Sequence, residues 1–181
     1  MVWSRNSRGN VPFKSGLLFP SCVPNAPDPQ SSTMPRSSKS FLFPDVNVWL
    51  ALTWEGHAHH AIARAWFEGL DVTTRLGFCR FTQISLLRLL TTQAVMGPEL
   101  MTQAEAWTAY DRWMQDSRIL FLDEPANVEP VFRSESRRTR SESKGWADAY
   151  LAAFATIAEM KLVTFDRGFE GRLEQLLILR P

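Results

Sequence analysis

Three aspartates stand where apolar runs stop. Asp45 closes the first half of "FLFPDVNVWLAL", Asp166 closes "KLVTFD", and Asp148 sits in the first turn of "WADAYLAAFA". In parallel α/β sheets the carboxyl ends of the strands form the ligand crevice, so Asp45 and Asp166 can converge there although they are far apart in sequence. Asp148 opens a helix that feeds directly into the Asp166 strand. Three carboxylates at one edge repel and raise one another's pKa unless a cation neutralises them. Hard oxygen donors of this kind suit Mg²⁺ or Mn²⁺. Each acid also has a plainer explanation. Asp45 could cap the following helix, Asp148 could be an acid favoured by the helix dipole, and Asp166 could start a "DRG" turn. Their shared placement at strand and helix ends favours the metal set.

The elements that must position these acids follow from periodicity. From Phe41 a β-type run reaches Asp45, and "NVWLALTW" then suits a short buried helix. "HAHHAIARAWFEGL" reads as a second, amphipathic helix with Ile62, Ala65, Trp66 and Leu70 inward. "TTRLGFC" reads as a strand, and "RFTQISLLRLLTTQAV" as a helix stopped by Gly97 and Pro98. "TQAEAWTAYDRWMQD" places Ala106, Tyr110 and Trp113 on one helical face, and "RILFL" is a short buried strand. Residues 133–145, "RSESRRTRSESKG", are almost free of apolar side chains and form a loop or a helix ending at the surface. "WADAYLAAFATIAEM" is helical with Leu151, Phe154, Ala155 and Ala158 on one face, "KLVTFD" is a strand, and "LLILR" closes the series. Strands alternating with helices predict a parallel α/β sheet flanked by helices.

Composition sets the outer bounds. The 181 residues are 45% hydrophobic, enough for one packed core. Six of the 11 prolines fall in residues 1–40, which lack apolar periodicity and cannot bury enough surface to offset ordering entropy. We therefore expect a disordered extension over 1–40 and a folded domain over 41–181, with Met34 a candidate translation start. Of 20 Lys/Arg and 19 Asp/Glu, five and one lie in residues 1–40, leaving 15 and 18 in the body, a net of −3. Such a body lacks the overall basic character common among nucleic-acid binders. Two cysteines, Cys22 and Cys79, exclude a disulfide framework and a Cys-based zinc site, and a reducing cytoplasmic setting is expected. No apolar run approaches the roughly 20 residues that span a bilayer, and the early "GLLFP" is short of a secretory core.

The ordered set "FPDVNVWLAL", "HHAIARAWFE", "CRFTQISLLRLLT", "WADAYLAAFA" and "LVTFDRGF" resembles a PIN domain of the VapC-like toxin type, over roughly residues 41–169. The resemblance implies a three-layer α/β/α sandwich with a mostly parallel central sheet and Mg²⁺- or Mn²⁺-dependent endoribonuclease activity. It also implies the toxin role in a type II toxin–antitoxin module, a VapB-like antitoxin partner, and a homodimer. By motif, Asp45, Asp148 and Asp166 match the family's metal-binding aspartates, and Asn47 a polar residue that orients the first. A second acid common on the helix corresponding to "FTQISLLRLL" is missing; Gln83, Ser85 and Arg88 are the polar residues there. That departure favours one firmly held ion and motivates an alternative, a catalytically weak PIN module acting by binding. An aspartyl-phosphate phosphotransferase would want a second Asp where Asn47 stands.

An acidic pocket repels RNA unless basic residues surround it. Arg137, Arg138, Arg140 and Lys144, just before the Asp148 helix, are the candidates for phosphate contact, with Arg88 as a further one; an inert solvated loop is the competing explanation. All three histidines, His57, His59 and His60, lie in "HAHH". Only Glu55 is near enough to join them as a ligand, so a partly packed helix start is the simplest reading.

Overall fold

The computed structural model describes residues 40–137, Ser143 and residues 145–180. The expected extension with Met34, and the candidate contacts Arg138, Arg140 and Lys144, lie outside the described residues. Five strands, β1 (Phe41–Pro44), β2 (Arg75–Cys79), β3 (Ile119–Leu122), β4 (Lys161–Thr164) and β5 (Leu176–Ile178), pair in parallel in the order β3-β2-β1-β4-β5. Leu42 stands opposite Leu76 on one side and Lys161 on the other, and Phe43 opposite Leu162. A strand with neighbours on both sides and helices on both faces must be apolar throughout, and Leu42, Phe43 and Pro44 are all buried.

Helices cover both faces. On one face α1 (Val46–Thr53), α2 (His60–Glu68), α3 (Arg80–Leu90), the short α4 (Gln93–Met96) and α5 (Gln103–Met114) surround a cluster centred on Trp49. On the other, α6 (Val128–Ser136) and α7 (Gly145–Ile157) enclose Phe43, Phe154 and Leu162. α1 is buried along most of its length, as its continuous apolar sequence requires. Trp49 stacks on Phe78 of β2 at 3.8 Å and meets Trp113 of α5 edge-on at 5.8 Å. α5 begins with a reciprocal cap: the Glu105 N–H donates to Thr102 Oγ1, and the Thr102 N–H to Glu105 Oε2. Among the described residues no helix is long and apolar enough to cross a membrane.

Three local expectations need correction. The helix expected over "RFTQISLLRLLTTQAV" breaks at Thr91 and Thr92, whose hydroxyls donate to the carbonyls of Leu87 and Arg88 and so compete with the backbone ladder. The second helix starts at His60, leaving His57 and His59 in the preceding loop. Its inward face is also turned from the expected stripe, with Ala63 and Phe67 buried and Ala65 exposed. The turn follows Phe67, which packs edge-on against Trp113 at 5.4 Å beneath the Arg118 guanidinium.

The Phe43–Phe154 stack, at 4.7 Å, clamps α7 onto β1. Replacing Phe43 with Ala is expected to lower the unfolding free energy by about 3–5 kcal/mol, read as the shift in urea midpoint at constant m-value.

Candidate metal centre

Strand order directs the site. β1 is followed outward by β2 and β3 on one side, while β4 and β5 lie on the other, so the chain reverses direction between β1 and β4. A crevice at that switch point, beyond the carboxyl ends of the strands, is where open α/β sheets bind ligands. Asp45 is the residue after β1, and its N–H donates to the Val163 carbonyl of β4 at 2.8 Å. Its side chain is only 4% exposed. Thr164, fully buried at the end of β4, donates its hydroxyl to Asp45 Oδ2 at 2.9 Å. The same hydroxyl oxygen accepts the N–H of Asp166 at 2.9 Å, using both capacities of one hydroxyl to join the two strand ends. Sequence reasoning passed over Thr164; its signal is a hydroxyl two residues before an acid in an otherwise apolar strand.

The environment of Asp45 is that of a strained anion. Burial lifts its pKa from 3.8 to about 6, and the neighbouring Asp148 charge adds to the rise, while the Thr164 hydroxyl and the amides of Asn47 and Val46 oppose it. Asp45 occupies the N-cap position of α1, where the amides of Val46 and Asn47 favour its charged form without closing a full side-chain cap. Asp148, half-buried in the first turn of α7, lies close enough for its charge to act on Asp45. Asp166 is exposed, and its Oδ1 accepts the Gly168 N–H at 2.7 Å to start a short 3₁₀ turn over Arg167–Phe169. Among the described residues no three His, Cys, Asp or Glu side chains are gathered as a ready ligand cage.

The pair Asp45 and Asp148 nevertheless fits a hydrated divalent cation. Ions such as Mg²⁺ are held by one or two carboxylates and keep several waters. A buried carboxylate whose proton affinity is raised further by a neighbouring acid is the arrangement such a charge relieves. Asp166 stands beyond this pair, tied to it through Thr164.

The other candidates scatter. Asn47 is exposed in the first turn of α1, and its backbone amide, rather than its side chain, acts on Asp45. Arg88 lies near the far end of α3, in a groove with Ile84, Leu87 and Trp107, about 12 Å along the helix from the strand edge where α3 starts. Arg137 is exposed just past α6. Arg80, which had not been singled out, opens α3 at the carboxyl end of β2, with its guanidinium 4.7 Å above Phe121 and bonded to Gln83. Gln83, one of the polar residues on the helix that lacks an acid, is buried. Tyr150, two residues after Asp148, donates to Glu124 Oε2 at 2.7 Å, and burial together with that acceptor pushes its pKa up.

A five-stranded parallel sheet between helical layers, with a buried carboxylate at its switch point and a second acid on the flanking helix, defines an α/β/α protein with an acidic edge. The PIN domain model matches residues 42–172, and the chain belongs to the PIN domain family. Ribonuclease VapC41 of Mycobacterium tuberculosis is 44% identical over 143 residues, spanning 75% of this chain and 97% of that protein. Among solved structures, M. tuberculosis VapC20, described as a sarcin-ricin loop cleaving toxin, superposes with a TM-score of 0.54 at 17% identity, covering 71% of this chain and 92% of its own. VapBC2 of Rickettsia felis, bound to a DNA fragment from its promoter, does so with a TM-score of 0.56 at 13% identity, covering 76% and 96%. At such identities these two structures speak to the fold.

Two outcomes follow from the geometry. Because the folded pKa of Asp45 lies above its unfolded value, the ion-free protein binds an extra proton between about pH 4 and 6 and loses stability as pH rises through that window. The rise corresponds to about 3 kcal/mol. Asp45→Asn should abolish this difference in urea titrations at pH 4.5 and 7.5. Thr164→Val should leave the fold intact yet weaken Mn²⁺ binding about 10- to 100-fold by calorimetry, since it removes the group that orients Asp45.

Proposed function

We infer that the chain is a metal-dependent endoribonuclease, the toxin of a type II toxin–antitoxin module. The observation that carries this reading is the 44% identity to Ribonuclease VapC41 across 97% of that protein. The acid pair at the switch point supplies chemistry that fits it. Asp45 and Asp148 would hold Mg²⁺ or Mn²⁺. An ion there supplies charge stabilisation on phosphate oxygens and a water of lowered pKa. Asp45, kept in place by its amide bond to Val163 and by Thr164, provides the fixed ligand. Asp148 provides the second from α7, and Asp166 orients water at the rim. Arg80, at the same strand edge, is a counter-charge for RNA phosphate, ahead of Arg88.

Partners follow from the same reading: an RNA substrate, a VapB-like antitoxin, a second copy of the chain, and a cytoplasmic setting. A second reading, a PIN module of weak activity that acts by binding, is favoured by the absence of any Asp or Glu from α3, whose polar side chains include Gln83, Ser85 and Arg88.

RNA cleavage by the purified chain, freed of partner, decides between them. Cleavage is expected with Mg²⁺ or Mn²⁺ and none in EDTA, and Asp45→Asn and Asp148→Asn should each lower the rate by about 100-fold or more. A parent protein that leaves RNA intact in both ions would establish the binding module instead.

A further inference from the structure

The loop between α1 and α2 carries rings that the carboxylate chemistry does not use. Trp54 ends α1, and Gly56 crosses its indole so closely that a Cβ would come within 2.7 Å of Nε1. This tight crossing sets the position of the residues that follow. The His57 ring meets Trp54 edge-on at 6.0 Å, and its Nδ1 accepts the backbone N–H of His59 at 3.1 Å. The His57 and His59 rings are 5.6 Å apart. His59 in turn stacks on Phe165 at 4.5 Å, with 24° between the planes. His60 takes a different course, its Nδ1 paired with the Ala51 carbonyl at 2.8 Å, which ties the start of α2 to α1.

Phe165 gives this row its meaning. It lies between Thr164, whose hydroxyl holds Asp45, and Asp166. The row Trp54, His57, His59, Phe165 therefore runs from the end of α1 to the carboxylate edge, and all four residues are half-buried. Trp54 and Phe165 rest against the Trp49 cluster, and the two imidazoles continue the row beside them.

We propose that His59, backed by Phe165 and fixed by His57, is the stacking platform for an unpaired base of the RNA strand beside the scissile phosphate. The proposal rests on the ribonuclease reading and adds to it a residue that contacts the substrate: unstacked bases can lie on aromatic and imidazole rings, whereas a regular duplex hides them. Charge points the same way. The body of the chain, residues 41–181, carries a net of −3, so affinity for a polyanion needs a contribution other than ion pairing. Base stacking supplies about 1–3 kcal/mol per base and tolerates any sequence. His57, its Nδ1 engaged as an acceptor and its pKa lowered by burial and by the neighbouring imidazoles, contributes a neutral ring.

The test uses the full chain and two variants, His59→Ala and His59→Phe, with a short fluorescein-labelled single-stranded RNA of mixed sequence. Anisotropy in EDTA reads binding, and Mn²⁺ assays read KM and kcat. His59→Ala should weaken binding about 5- to 100-fold and raise KM with kcat little changed, while His59→Phe, which restores a ring, should stay within about threefold of the parent. Competition by the same sequence in duplex form should be weak. The proposal is overturned if His59→Ala binds like the parent, if His59→Phe loses as much as His59→Ala, or if the parent binds no RNA. A parent that binds through His59 but cleaves nothing would sink the ribonuclease reading and leave the platform; a parent that cleaves while His59→Ala matches it would do the reverse.

Discussion

Everything at the active edge depends on one anion kept out of water. Asp45 follows the central strand of the sheet, its amide is committed to β4, and its carboxyl is nearly inaccessible. Desolvation of that carboxyl outweighs the hydrogen bonds given to it, which is why its pKa rises rather than falls. The aromatic layer directly beneath offsets the cost. Phe43, two residues earlier, and Phe154 are both fully buried, each contributing about 1.5–3 kcal/mol by leaving water. The apolar core and the acidic edge are thus adjacent parts of one arrangement, in which packing of the first carries the cost of desolvating the second.

The two helical layers divide the labour. The side of α1, α3 and α5 forms the thicker core, locked by the Trp49 ring between Phe78 and Trp113. The opposite side is thinner, and α7 is its main element, pressed on β1 and β4 through alanines and Phe154. Small residues let that helix lie close to the sheet, which brings Asp148 within electrostatic reach of Asp45. The spacing of the acid pair is set by apolar packing a turn and more away from it.

Much of this was legible in sequence, and the failures have physical causes. Asp45, Asp148 and Asp166 stood out because a carboxylate ending an apolar run is costly and needs a reason. The parallel sheet followed from alternation of strand and helix. Strand order did not, since local patterns carry no information on which strand enters between which others, and it is strand order that makes the β1–β4 boundary special. Thr164 was missed because a threonine in a strand is unremarkable until its partner 119 residues away is known. Arg88 was chosen for its segment, but one helix places Arg80 and Arg88 at opposite ends, and only the first lies at the edge. The stripe of α2 was misphased because Phe67 found an aromatic partner on α5 that periodicity cannot see.

The long separation between Asp45 and Thr164 also fixes an order in time. β1 is made early, but the strand that flanks it on the acidic side is β4, and the hydroxyl that holds Asp45 arrives at its end. Parallel pairing between distant segments must await both partners. A chain leaving the ribosome thus carries Asp45 with no neighbour to set its geometry until β4, whose Thr164 lies 119 residues later, has emerged. The first carboxylate of the edge is made long before the hydroxyl that orients it.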